Sequence, residues 1–145
     1  MQNLRTWAGI DVSARKLSVH REREGNEQAR EFANDTAGHR ELSKWLGHGA
    51  RVCIEATGVY HLQLALALRT AHVDVMVVNP RVAKDFGRAL ANRSKTDRVD
   101  ARTLLEYGRR MAFVAWTAPS KAVLELRELA RRLRDLVDIA AEEKN

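Results

Sequence analysis

Trp7-Ala8-Gly9-Ile10-Asp11-Val12 is a short apolar run that carries a carboxylate near its end. A run of this length and composition reads as a buried β-strand. An aspartate there needs a partner, because an unpaired buried charge costs on the order of several kcal/mol. Ser13-Ala14-Arg15 reads as a tight turn. Lys16–Arg23 then alternates Leu17 and Val19 against Lys16, Ser18 and His20, the period of a half-exposed strand. Gly25-Asn26 is a turn signal, and Gln28–Ala33 pairs as a third strand to complete an antiparallel meander.

The pattern then changes. Asn34-Asp35-Thr36 offers N-caps for an amphipathic helix over His39–Leu46, with Leu42, Trp45 and Leu46 inward and Gly47 and Gly49 ending it. Arg51–Glu55 is a fourth strand, again closing on an acid. Ala56-Thr57-Gly58 turns into a helix over Tyr60–Ala71 that is apolar on most sides. Val73–Val78 is the fifth strand, and Pro80 suits the first turn of a helix running through Arg81–Leu90. Ala91–Lys95 reads as a polar link. Ser94-Lys95-Thr96-Asp97 has the spacing of a capping box, so the next helix is expected over Thr96–Arg110, with Asp97 and Asp100 on one face and no capping role for Asp100. Phe113–Trp116 reads as a short strand or a packed loop. The order βββ-α-β-α-β-α-α predicts an α/β fold, a mixed sheet with flanking helices. It is the element order of the ribonuclease-H-like fold.

Residues 117–145 read differently. Ala122, Leu126, Leu129, Leu133, Leu136 and Ala140 make an a/d heptad seam. Glu128–Arg132, Arg131–Asp135 and Arg134–Asp138 are opposite-charge pairs one turn apart. Six basic and six acidic groups leave the segment neutral. The expected division is therefore a catalytic domain over 1–116 and the start of a coiled-coil helix over 117–145 that pairs with another chain. The alternative is a helix docked on its own domain. The helix reaches Asn145 without a stop signal, so the chain is expected to continue in the natural protein.

Asp11 and Glu55 from two strands, with Asp97 and Asp100 from one helix start, are the candidate catalytic and metal-binding residues. Carboxylates that converge in a dry site cannot all stay ionised, since like charges raise one another's pKa. A hard divalent cation resolves the conflict, and two such ions can clamp a scissile phosphate. Each acid also has a plainer reading: Asp11 in a salt bridge, Glu55 or Asp97 as a helix cap, Asp100 bonded to a neighbouring cation. The net charge is +6. Residues 81–116 hold nine Lys/Arg against four acids, so nearly all of that charge surrounds the Asp97/Asp100 pair. This favours a polyanionic partner, with Arg93, Lys95, Arg98 and Arg102 as candidate nucleic-acid contacts. Cys53, the single cysteine, excludes an intrachain disulfide and is expected in the core. The five histidines lack metal-ligand spacing, and no Gly-rich phosphate loop is present. Tyr60 reads as a packed ring rather than a nucleic-acid contact. No apolar run approaches a membrane span, and a reducing, cytoplasmic compartment is expected.

Gly9-Ile10-Asp11-Val12-Ser13, Ile54-Glu55-Ala56-Thr57-Gly58-Val59-Tyr60, Val78-Asn79-Pro80 and Lys95-Thr96-Asp97-Arg98-Val99-Asp100-Ala101 resemble the DEDD transposases of the insertion-sequence-110 family, relatives of pilin-gene invertases. The resemblance implies a RuvC-like domain with Asp11, Glu55, Asp97 and Asp100 as the metal ligands, Mg²⁺ as cofactor (two ions, with Mn²⁺ able to substitute), DNA as substrate and a prokaryotic source. It also implies a guide RNA from the element's ends and a further, serine-bearing C-terminal domain beyond these residues. The expected function is metal-dependent phosphodiester cleavage or strand transfer in DNA transposition, incomplete without that domain, in a homo-oligomer built through the 122–140 seam. Two alternatives stand beside it: a stand-alone RuvC-like junction resolvase or nuclease, and a non-catalytic nucleic-acid-binding dimerisation module. A sugar-kinase or actin-type ATP site is disfavoured because its glycine-rich phosphate loops are missing.

Overall fold

Strand β1 (Trp7–Val12) occupies the centre of a five-stranded sheet of order β3-β2-β1-β4-β5. The computed structural model describes residues 4–56, 58–91 and 99–144. Strands β2 (Lys16–Arg23) and β3 (Asn26–Ala33) form the antiparallel meander with β1, while β4 (Arg51–Glu55) and β5 (Asp74–Val78) run parallel to it. This is a ribonuclease-H-like mixed sheet. The hairpin turn is Glu24-Gly25, both at positive φ (54° and 81°), so β3 starts at Asn26, earlier than the sequence reading placed it. A two-residue loop with positive φ at both positions matches the twist of the flanking strands, and Gly25 N–H is held by the Glu22 carboxylate at 2.9 Å.

The period of two sorts the sheet into two cores. Ala8, Ile10 and Val12 of β1 face the same side as Leu17, Val19, Val52, Ile54 and Val75. Helices α1 (Thr36–Leu46) and α2 (Tyr60–Thr70) cover that side with Leu42, Leu46, Leu64 and Leu68. Asp35 is the N-cap of α1, its carboxylate accepting from Gly38 N–H at 2.7 Å. On the opposite face Cys53, Met76 and Val78 meet Ala83 of α3 (Pro80–Ala91) and Leu104 of α4 (Ala101–Arg110), with Val99 from the segment before α4. Phe86 of α3 packs edge-on against Tyr107 of α4 at 5.1 Å between ring centroids.

At Gly9, helix α4 rests on β1 with no side chain between them. A Cβ on Gly9 would overlap the Ala101 carbonyl oxygen and the Leu105 nitrogen and come within 2.9 Å of the Leu104 carbonyl carbon. Near the other end of α4, a Cβ on Gly108 would lie 3.2 Å from Cys53 Cβ and 3.9 Å from Trp7. The helix therefore runs back along the strand, its N-terminus over Gly9 and its C-terminus toward Trp7. It begins at Ala101 rather than Thr96, with Val99 and Asp100 outside the helix. The Ser94–Asp97 capping box falls outside the described residues.

Phe113–Trp116 is a packed loop. Trp116 N–H donates to Val75 C=O at 2.7 Å and its ring joins the α1/α2 core, while Phe113 packs edge-on against Trp7. Beyond it α5 (Lys121–Glu143) is capped by Ser120 and buries no residue. Leu126, Leu129, Leu133 and Leu136 are each more than 60 % exposed, so the helix is not docked on its own domain. The Glu128–Arg132 pair closes at 2.7 Å. Among the described residues no helix is long and apolar enough to cross a membrane.

Gly9→Ala is expected to lose about 2–3 kcal/mol of unfolding free energy, because the methyl must push α4 off the strand. Denaturant unfolding of the variant beside wild type measures it, and a change within error would mean that α4 packs more loosely than described.

Candidate active site

The carboxylates of β1 and β4 meet because the two strands are parallel neighbours. Ile10 pairs with Ile54 in register, and Asp11 and Glu55 are the next residues of their strands. Asp11 shares the face of Gly9, and Glu55 the face of Cys53, since side chains alternate along a strand. Both therefore point to the α4 side, at the C-terminal edge of the sheet, and both are half-buried. Glu55 ends its ladder against Val78, and Ala56 N–H adds a last bond to Val78 C=O at 2.9 Å. The Glu55 carboxyl is held above the ordinary glutamate range, first by burial and then by the negative charge of Asp11.

Asp100 arrives at the same end of the molecule through α4. Ala101 sits over Gly9, and Asp11 lies two residues further along β1, about 6.6 Å in strand rise. Asp100 is the N-cap of α4: its Oδ1 accepts from Thr103 N–H and from Thr103 Oγ1, both at 2.8 Å. This corrects the reading that denied Asp100 a capping role and put it on a helix face beside Asp97. Its carboxylate borders a small cleft of about 320 Å³ between α3 and α4, with Gly87, Thr103 and Glu106. Asp97 lies outside the described residues. Among the described residues no three His, Cys, Asp or Glu side chains stand together as a metal cluster. The structure thus brings Asp11 and Glu55 together, brings Asp100 to the same edge as a cap, and leaves the fourth acid undescribed.

Of the candidate nucleic-acid contacts, Arg93, Lys95 and Arg98 lie outside the described residues. Arg102 is exposed and reaches the hairpin, 3.9 Å from Glu27. Glu27 also bonds His20 at 3.0 Å, and its carboxyl is held below the usual range chiefly by that bond and less by the charge of Arg102. Arg109 bridges to Glu22 at 3.6 Å, so the hairpin glutamates neutralise part of the α4 surface. Tyr60 is 51 % exposed, against the expectation of a packed ring. A groove of about 770 Å³ runs between α1 and α2, on the other face of the sheet from the acidic pair. Its buried His39 is tied to Asn34 Oδ1 at 2.7 Å, so this larger hollow does not hold the chemistry suggested by the acids. Cys53 lies under α4 as a core residue, and burial pushes its thiol up to about 12. Sequence reasoning missed the tight seat of α4 on Gly9. A glycine amid β-formers is its one visible trace.

A family model described as "Transposase", that of the insertion-sequence-110 DEDD transposases, matches residues 8–145. The chain belongs to this transposase family. The pilin gene-inverting proteins of Moraxella bovis and Moraxella lacunata are each 29% identical to this transposase-family chain over 134 residues, covering 88% of it and 42% of their own length. The chain thus spans less than half the length of these curated relatives.

Burial and the Asp11 charge both make ionisation of Glu55 costly, so its folded pKa lies above its unfolded one. A raised acid stabilises the fold below its unfolded pKa, and that contribution is lost as pH rises through the window between the two values. At neutral pH, Glu55→Gln is therefore expected to stabilise the metal-free protein slightly and to flatten its pH dependence across that window. In Asp11→Asn the Glu55 midpoint, followed by carboxyl NMR, should move toward the ordinary range without reaching it, because burial is the larger cause. An unchanged midpoint would show that the two carboxylates do not sense one another.

Proposed function

We propose that this chain is the RuvC-like catalytic domain, residues 1–116, of a DNA transposase, with residues 117–145 forming the start of its oligomerisation helix. The observation that carries the reading is the Asp11/Glu55 pair at the ends of adjacent parallel strands, where burial and the Asp11 charge make ionisation of Glu55 costly. Two hard oxygen donors whose charges repel fit a divalent cation, Mg²⁺ by preference with Mn²⁺ as a substitute. Asp11, Glu55, Asp97 and Asp100 would hold two ions. When bound, such ions lower the pKa of an attacking oxygen and neutralise charge on a leaving one. The chain's own contribution is placement. The sheet fixes Asp11 and Glu55 side by side, and the Gly9 contact fixes the N-terminus of α4 near them. The α4 N-terminus favours a nearby phosphate through its dipole. Asp100 would present its second carboxylate oxygen while the first remains on Thr103. Arg93, Lys95, Arg98 and Arg102 would hold the phosphodiester backbone, DNA being the substrate and a guide RNA the second polynucleotide in the assembly. The complete reaction would need the segment that the longer relatives carry. A stand-alone junction nuclease is the second reading, and cleavage of a four-way DNA junction by this chain in Mg²⁺ would favour it.

In the full-length enzyme, Asp11→Asn and Glu55→Gln are each expected to reduce DNA strand cleavage by more than about a hundredfold, a larger loss than is typical for removing a group that merely supports a ligand. Calorimetry with Mn²⁺ should show matching losses of metal binding. Asp100→Ser should keep the helix cap but lose metal affinity, whereas Asp100→Ala should in addition cost about 1 kcal/mol of stability. Wild-type Mn²⁺ affinity in Asp11→Asn, Glu55→Gln and Asp100→Ser alike would sink the metal reading.

The α5 seam would join this chain to a second copy, since its Leu126, Leu129, Leu133 and Leu136 repeat at heptad spacing and lie exposed. Leu129→Lys with Leu133→Lys should convert an oligomer to a monomer in sedimentation equilibrium. A wild-type monomer at high concentration would refute the pairing.

A further inference from the structure

Helix α3 leaves the sheet beside the acidic edge. Val78 pairs with Glu55 in register, and Asn79 follows it. The Asn79 side-chain oxygen accepts from Arg81 N–H at 2.8 Å, and its carbonyl accepts from Ala83 N–H at 3.0 Å, which fixes the first turn of the helix. One side of α3 is committed to packing: Ala83 is buried, Phe86 meets Tyr107, and Gly87 lies against Thr103, where an added Cβ would stand 3.3 Å from the methyl. Away from that side, at 100° per residue, Arg81, Lys84 and Arg88 fall within an arc of roughly 60°. From Arg81 to Arg88 the stripe extends about 10 Å along the helix axis. The helix carries these three cations against one carboxylate, Asp85, which stands 4.0 Å from Arg88.

We propose that the Arg81/Lys84/Arg88 stripe of α3 is a polynucleotide-backbone contact that carries a strand away from the Asp11/Glu55 edge of the sheet. The proposal rests on the transposase reading above and adds a surface to it. Phosphates recur about every 3.4 Å of axis along one strand, so a stripe of this length spans on the order of three of them. Such a contact holds the backbone without reading sequence and displaces counterions as it forms. The position of the stripe gives it a direction: its first cation stands one turn beyond the strand that pairs with β4, and its last lies two turns outward.

The test is fluorescence anisotropy of the full chain with a labelled DNA duplex and, separately, an RNA hairpin of equal length, over a series of salt concentrations. R81Q/K84Q/R88Q is expected to weaken binding and to lower the slope of log affinity against log salt by roughly 2–3, near one per phosphate lost. R40Q/K44Q/R69Q removes the same charge from α1 and α2 and should leave the slope near that of wild type. A response with the duplex alone assigns the stripe to DNA, and one with the hairpin alone assigns it to RNA. Equal slopes in wild type and the α3 variant, equal losses in the two triple variants, or wild-type binding with no salt dependence would each overturn the proposal. Should the α3 triple variant melt far below wild type, the single changes Arg81→Gln and Arg88→Gln replace it, each expected to lower the slope by about one. Calorimetry with Mn²⁺ separates the two readings: metal binding kept in the α3 variant leaves the acidic site standing whatever the slopes show, and its absence in wild type counts against the acidic site.

Discussion

The contact of the α4 backbone with Gly9 is the constraint from which the geometry of the acidic edge follows. A hydrogen in place of a side chain lets the Ala101 carbonyl and the Leu105 amide settle against β1. Because Gly9 and Asp11 share one face of the strand, the depth of that contact also sets how far the α4 N-terminus stands from the carboxylate. Leu104 and Leu105, both fully buried, hold the helix down, and the small Gly108 lets its far end rest on Cys53. The second core therefore serves less to add apolar area than to fix a register between a helix and a strand. The α1/α2 face carries the larger cluster of aliphatic side chains and sets no such register with the acids.

The strands were the most legible part of the chain. Leu17 and Val19 against Ser18 and His20 state a period of two directly, and Val52-Cys53-Ile54 and Val75-Met76-Val77 are short buried runs of the kind a parallel sheet requires. Helix starts were harder to read. Asp35 was legible as a cap because a turn and an amphipathic stretch bracket it. The start of α4 was misread because Ser94, Asp97 and Asp100 all have cap-forming side chains, and spacing alone cannot choose among them. In the fold Asp100 accepts from both the Thr103 N–H and the Thr103 hydroxyl. The hairpin shifted for a similar reason: Gly25 marked a turn, while the pairing of Arg23 with Asn26 decided which residues formed it.

At the candidate site, residue type was legible and disposition was not. Two acids at strand ends follow from the sequence. Their adjacency needs the order β1-β4, which comes from the fold as a whole. The excess of positive charge over residues 81–116 was visible as a count, but its distribution between α3 and α4 depends on where the hairpin glutamates fall. Glu22 and Glu27 are remote from α4 in sequence and are brought to it by the antiparallel meander. Tyr60 was expected to pack because an aromatic ring within an apolar helix usually does. Its place in the first turn of α2 leaves it in solvent instead.

Cys53 sits beneath α4 between the sheet and Gly108, with its thiol proton held far more tightly than that of a free cysteine. Alkylating and oxidising reagents act on the thiolate, which this position nearly abolishes. Labelling of the sulfur would therefore wait on detachment of the helix that covers it. The chain's single cysteine is in this way a built-in chemical clock for the opening of the same layer that sets the spacing of the acids.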